Sequence, residues 1–442
     1  MIWFSISIKR LTMKLTNIGG ATAILEHQGK RMLFDPWLDD GIFHGSWYHY
    51  PPLTMTPEQL GHLDYVYISH IHEDHCSAGT IRHINRDAEI ILMDREPNLV
   101  ARFLQKHGFG FRKVHMVKPR TPLELAPGLV VDMVEPDPAD EMARLIDSSL
   151  VIRWDGFTVY NANDCLPYPA GMQYILDTYG RLDLALLPYS GGSGYPACYL
   201  NLDETGKRAE KERIVAMRLE AFAEAVRVLR PLRVMPFADQ YVIGGARAHL
   251  NVHVAHPASP AAVAPVLEQA GLDAELLLLN PGQAYDFDAG SKVPDLPYAW
   301  GEAEARTRYI ETELKHVRYE HETFRFSPSV PLERLLAHAR AQLWKVQQGQ
   351  QYFPQFSFCF DTSDTGRRFH LPLDRPEVVP GDPALPCAAP FLRIVLPHDL
   401  LIMLLIGHVS WNIADAALFL DYERVPNTYD PMLYALLNYL RL

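Results

Sequence analysis

The sequence predicts an α/β layered fold carrying a smaller C-terminal α+β lobe. Three observations support this: an opening β-meander, a long alternation of apolar strands with helices, and a shift toward charge past residue 282. The meander is read in residues 15–18, 21–27 and 30–37, apolar segments separated by the turn pairs Gly19-Gly20 and Gln28-Gly29. Further strands are expected at 64–69, 89–94, 156–163 and 182–189, with helices at 79–87 and 98–108 interleaved among the first of them. Residues 204–229 space their charges three and four apart, which predicts a long amphipathic helix packed on the outside and without chemistry of its own. Beyond Trp300 come a charged helix, two strands near 356–363 and 367–373, and an apolar C-terminal end. We therefore divide the chain into a catalytic domain, residues 12–300, and an accessory lobe, residues 301–442. Internal repeats and low-complexity tracts are absent from the sequence.

Composition excludes several classes. At 48% hydrophobic and 21% charged residues, the chain is neither disordered nor fibrous. Lys plus Arg total 41 against 53 for Asp plus Glu, a net charge of −12 with no basic run, so nucleic acid is not an expected partner. The apolar stretch 391–406 is interrupted by Arg393, Pro397, His398 and Asp399, which leaves it short of the roughly 18 uninterrupted residues of a membrane span. Residues 1–8 are apolar but lack a basic leader and a cleavage site, so no signal peptide is expected, and Met13 offers an alternative start. Cys76, Cys165, Cys198, Cys359 and Cys387 are scattered and form no CxxC pair, which fits a reducing cytoplasm.

Directly after the strand at 64–69 stands His70-Ile71-His72-Glu73-Asp74-His75, four metal-ligating side chains within six positions. Alternate residues of an extended loop point the same way, so His70 and His72 suit one metal while Asp74 and His75, in the next turn, reach a second. A solvated His-rich turn is the competing reading; the buried strand before it and the helix after it argue against that.

At these residues the sequence resembles the metallo-β-lactamase fold superfamily, whose HxHxDH motif is matched by His70, His72, Asp74 and His75. The opening stretch 17–37 is similar to that family's first strands. The resemblance implies an αββα sandwich with a binuclear centre at the strand ends and a bridging Asp after a later strand, the place held here by Asp164. Asp74 and Asp164 are the carboxylates assigned to catalysis. Hydrolases of the fold supply a further His from the loop before that strand, yet this chain has no histidine between His115 and His249. The loop offers Glu135, Asp137, Asp140, Glu141 and Asp147 instead. Asp147, next to the apolar strand 149–153, is the preferred replacement, with Glu141 as fallback. A carboxylate in place of an imidazole favours iron or manganese over zinc. Two iron ions (Fe2+) are the expected cofactors, with Zn2+ or Mn2+ as alternatives.

Asp147-Ser148-Ser149, Asp164-Cys165 and the stretches 189–196, 236–241, 280–282 and 421–440 together resemble the catalytic domain of CMP-N-acetylneuraminate hydroxylase and related noncanonical nonheme diiron monooxygenases. That resemblance implies an O2-dependent hydroxylase of a small biosynthetic substrate, a nucleotide sugar or a carrier-linked intermediate. A binuclear hydrolase of a phosphodiester, lactone or amide is the alternative, and a non-enzymatic metal binder ranks last. The hydroxylase family often carries a Rieske module, but no CxH and CxxH pair occurs here. Electrons are therefore expected from an external ferredoxin or flavin reductase. A homo-oligomer is left open.

Other residues are further candidates for the site. The glycine-rich stretch 190–195 lacks the Lys and Ser/Thr of a phosphate loop, and either lets backbone approach a pocket or is a plain turn. For the last ligand of the second metal, His249 is preferred over His253 and His256, with Asp239 as a substitute. Asp35 is a candidate to orient a ligand histidine from behind. Cys76 and Cys165 adjoin ligand positions, but packing suits them better than ligation. His408, Trp411 and Asn412 are expected to serve packing or a dimer contact, with closure over a substrate as the other reading.

Overall fold

The computed structural model describes residues 13–238, 241–300, 303–327 and 329–442; residues 1–12 and Asp239 lie outside them. Among the described residues the meander seeds an eight-stranded sheet in the order Ser291–Val293, Ala284–Asp286, Lys14–Gly19, Thr22–His27, Lys30–Phe34, Tyr65–Tyr67, Glu89–Met93, Lys113–Val117. The antiparallel register Ala23↔Phe34 and Leu25↔Met32 gives way to parallel pairing from Phe34↔Tyr67 onward. Gly20 makes the first turn at φ +59°, where a Cβ would stand 3.0 Å from the Trp37 ring.

A seven-stranded sheet faces the first, in the order Glu275–Leu276, Arg233–Phe237, Leu184–Pro188, Phe157–Asn161, Ser149–Trp154, Leu129–Val134, Leu123–Ala126. Strand alternation sends Leu15, Leu25, Phe34, Tyr67 and Ile91 of one sheet, and Val131, Leu150, Ile152 and Leu186 of the other, into one shared core. The opposite faces are covered by helices. Ile81, Val100 and Leu104 pack on Ile24, Leu33 and Ile90, while Phe222, Val226 and Leu229 pack on Val151, Ala185 and Val234. This is the αββα sandwich the sequence implied. The helix expected over 79–87 is shorter, Ala78–Ile81, because the Asn85 side chain bonds the backbone N–H (2.8 Å) and C=O (2.9 Å) of Leu63 and so draws the chain away from helix.

Toward the C-terminus a five-stranded sheet runs Val379–Gly381, Arg367–Pro372, Ser357–Thr362, Phe391–Leu396, Asp421–Val425. The apolar stretch 391–406 divides at Pro397 into a strand and the helix His398–Leu405. No described helix is long and apolar enough to cross a membrane. One face of this sheet, Phe358, Phe360, Phe369 and Leu371, packs with Leu336 and Leu343 of the helix Leu332–Gln350; the same apolar core continues into Trp37, Phe43 and Trp47 of the meander side. Polar bonds fasten the join: Ser46 Oγ donates to the Ala417 carbonyl (2.8 Å), Trp47 Nε1 to that of Ala416 (2.8 Å), and Tyr422 N to that of Cys198 (2.8 Å). Arg247 donates to the Leu418 carbonyl (2.8 Å) and to Asp421 Oδ2 (3.0 Å).

Because Arg247→Met leaves the Asp421 carboxylate and the Leu418 carbonyl without their donor, it is expected to cost about 2–3 kcal/mol. Urea unfolding with an unchanged slope and a lower midpoint is the check.

Candidate metal centre

The motif loop leaves the strand Tyr65–Tyr67 at the edge of the core and folds as a tight turn. His75 N and Cys76 N both donate to the His72 carbonyl, at 3.0 and 2.8 Å, and the Ser77 side chain then caps the helix Ala78–Ile81. This turn gathers the imidazoles. His70 Nε2 lies 2.9 Å from His72 Nδ1, and the rings of His70 and His75 are 4.1 Å apart between centroids.

Three carboxylates converge on them. Asp164, following the strand Phe157–Asn161, comes within 3.3 Å of His75 Nε2, and Asp74 within 3.4 Å of the same atom. One ligand atom each of His70, His75 and Asp164 falls within 4.8 Å of the others. Asp147 ends the helix Glu141–Ile146 in extended backbone, which turns its Oδ1 to 3.8 Å from His70 Nδ1. The remaining loop acids are engaged elsewhere. Glu135 accepts from Arg120 (2.8 Å), Asp137 from Ala139 N (2.9 Å), and Asp140 caps the helix through Met142 N and Ala143 N. Glu141 is exposed.

Behind the turn, Asp35 is fully buried. It accepts from Ser69 N (2.7 Å), from Ser69 Oγ (2.8 Å) and from His75 Nδ1 (2.9 Å). The bond to His75 leaves Nε2 facing Asp74 and Asp164, the orientation a metal-binding imidazole needs. Burial opposes charge on His75, but Asp164, Asp74 and Asp35 outweigh it and raise its pKa well above the usual histidine range. Burial and then the neighbouring His75 push His70 well below that range, keeping it neutral with a lone pair free. Burial and the adjacent Asp164 push the Asp147 carboxyl up to about 8. Asp74 Oδ1 and Asp147 Oδ1 are buried and accept no hydrogen bond. Orphaned carboxylate oxygens beside neutral imidazoles fit divalent ions, which would satisfy them.

A cavity of about 730 Å³ opens on His72, Asp74, His75 and Asp164. The glycine-rich stretch forms one wall, so of its two readings the structure has the close backbone approach: a Cβ on Gly191 would stand 3.2 Å from Arg218 Nη2, and one on Gly192 3.0 Å from the Trp47 ring. The helix Glu204–Leu229 is not the inert outer helix expected. Only its C-terminal part is packed, whereas Glu210 and Arg213 line the cavity and the charge of Arg218 acts on Asp164. His249 does not approach the centre: it is exposed on the turn Gly245–Val252, whose buried side is Ala248, Leu250 and Asn251. His253 pairs with Glu204 (2.9 Å). It is His256, buried against Tyr241, that lines the cavity. Trp411 and Asn412 line it too, and the Asn412 side chain hydrogen-bonds His72, whereas His408 turns away to Glu320 (3.6 Å). Cys76 is packed in the outer helical layer, and burial pushes both its thiol and that of Cys165 far up.

Sandwich and site together define a metal-dependent fold. Residues 30–237 match the family described as the β-lactamase superfamily domain. It is 32% identical over 191 residues to a candidate Rieske 2Fe-2S iron–sulfur protein of Mycobacterium tuberculosis, a match covering 42% of this chain and 36% of that one. It is 27% identical over 246 residues to the cytidine monophosphate-N-acetylneuraminic acid hydroxylase of Danio rerio, covering 51% of this chain and 38% of the hydroxylase. The chain thus spans well under half the length of these curated relatives. Among solved structures it is similar to Igni18, a metallo hydrolase of Ignicoccus hospitalis, at 23% identity and a TM-score of 0.43, covering 62% of this chain and 98% of that one. One of these relatives is thus a hydroxylase by name.

Replacing Asp35 by Asn keeps the volume but weakens its grip on the His75 ring, so metal affinity should fall about 10–100-fold. Equilibrium metal titration of the purified variant tests this.

Proposed function

We propose that the chain is the catalytic part of an O2-dependent nonheme diiron hydroxylase acting on a small polar biosynthetic substrate. The observation that carries this reading is the carboxylate Asp147 beside His70, where hydrolases of the fold use an imidazole. His70, His72 and Asp147 would hold one iron, Asp74 and His75 the other, with Asp164 between them. His256 is the candidate for a further ligand to the second. Ferrous ions in such a set supply the electrons that activate dioxygen toward a C–H bond, which zinc cannot do. The hydroxylase named among the relatives supports the same direction.

The chain's own residues have separable tasks. Asp35 holds the His75 ring, and Asn412 holds that of His72. Trp37, Phe43, Trp47 and Trp411 present aromatic surface to the cavity and exclude water from the reacting face. Farther along the cavity, Arg424 lies over the rings of Tyr195 (5.4 Å) and Tyr199 (4.9 Å) and bonds Asn427 (2.9 Å). Arg213 lines the same cavity. Arg213 is held by Glu210 (2.8 Å), so Arg424 beside the tyrosines is the guanidinium that suits an anionic group on a substrate. The electron donor is a protein of the ferredoxin or flavin-reductase class.

Metal analysis of protein purified without added metal, followed by exposure of the reduced protein to oxygen, tests the reading. Near two irons per chain and an oxygen-dependent change in absorbance are expected. Zinc alone, with no oxygen response after iron reconstitution, would transfer the assignment to a hydrolase using metal-bound water. In Asp164→Ala both ions should be lost together, and unchanged metal content would overturn the site assignment.

A further inference from the structure

The C-terminal lobe holds a second set of soft ligands, none of which lines the cavity of the first centre. Strands Ser357–Thr362 and Arg367–Pro372 are antiparallel, with Cys359 directly opposite His370. Because Phe358, Phe360, Phe369 and Leu371 point into the lobe's core, alternation puts Cys359 and His370 on the other face. The segment after Val379–Gly381 lays Cys387 over this pair. One ligand atom from each of the three residues falls within 4.8 Å of the others, and Cys359 Sγ is 3.1 Å from His370 Nδ1.

Two features hold this arrangement. A Cβ at Gly381 would stand 2.3 Å from His370 Nε2, so that nitrogen packs on the glycine and Nδ1 faces the sulfurs. Arg368, on the same face, grips the Cys387 segment through the carbonyls of Asp382 (3.3 Å) and Leu385. Its charge is met by both oxygens of Asp361, each 2.6 Å away. Asp361 also accepts from Arg393 (2.7 Å), which pairs with Glu423 (2.7 Å), so two carboxylates balance the two guanidinium groups beside the sulfurs.

We propose that Cys359, His370 and Cys387 bind one zinc-class ion that clasps the 382–390 segment to the sheet. Tetrahedral zinc sets sulfur and nitrogen ligands about 3.5–3.8 Å apart, so this cluster reaches that geometry by small side-chain rotations. Two thiolates balance the ion's charge. Cys359 is buried while His370 and Cys387 are half-buried, so the fourth position opens to solvent and takes water. Thiolates select zinc over the iron expected at the carboxylate-rich centre, which lets one chain hold two different metals.

Cobalt(II) titration of the metal-stripped full-length chain tests the proposal, because only thiolate ligands give intense near-ultraviolet charge-transfer absorption. One equivalent should produce that band in the wild type and in His70→Ala, and no band should form in Cys387→Ser. Zinc should raise the melting temperature of Asp164→Ala, in which both ions of the first centre are lost, but not of Asp164→Ala/Cys387→Ser. Cys387 is half-buried, so its serine variant is expected to fold; circular dichroism matching the wild type checks this. The proposal is overturned by the same band in Cys387→Ser, by its absence from wild-type protein with both thiols free, or by a Cys359–Cys387 disulfide in freshly purified protein.

Discussion

Asp35 is the constraint on which the centre depends. It sits at the end of the strand Lys30–Phe34 at φ +39°, a left-handed conformation that Asp tolerates better than most residues. Thr22 Oγ1 donates to its carbonyl (2.5 Å), and its carboxylate receives Ser69 and His75. One buried side chain thus ties the opening meander to the motif loop and fixes the imidazole that faces Asp164. Desolvation alone would favour the protonated acid; the charge of His75 and the donors from Ser69 oppose it. The centre is therefore built outward from the sandwich rather than laid on its surface.

The second constraint is the lobe, which completes the cavity. Asn412 reaches His72, Trp411 closes the wall and donates to the Leu440 carbonyl (3.0 Å), and Arg424 stands over the tyrosines of the 190–199 region. Stability and site shape are coupled here, because the apolar core joining the lobe to Trp37 and Trp47 also sets the cavity floor.

How much could be read from the sequence follows from chain distance. The meander, the parallel strands and the helix 204–229 show themselves in local periodicity. The HxHxDH cluster is legible as a cluster because its side chains fall within one turn, and Asp147 as a candidate because it abuts a strand end. The role of the 204–229 helix has no local signal, since a helix that presents Glu210 and Arg213 to a cavity has the same charge spacing as one facing water. The sequence prefers His249 over His256, but the irregular turn that carries His249 leaves it exposed while His256 is buried. Asn412 reaches the centre from far along the chain with no spacing signal at all. Cys359 and His370 meet only through strand register, so counting cysteines saw scattered thiols where the fold makes a pair.

Electrostatics explains why these scattered pieces hold together around a cation. Asp74 and Asp147 each carry a buried oxygen that no hydrogen bond satisfies, and Asp164 is offset chiefly by His75. An unpaired buried carboxylate oxygen costs several kcal/mol, and Asp74 and Asp147 also feel the charge of the more exposed Asp164. Replacing them with apolar side chains would stabilise the sandwich, so their presence is a cost that folding alone gives no reason to bear. Under the proposed function, two divalent ions would reverse the balance and tie the motif loop, the 147 loop and the 164 turn into one unit. A metal held there would then help to close the site.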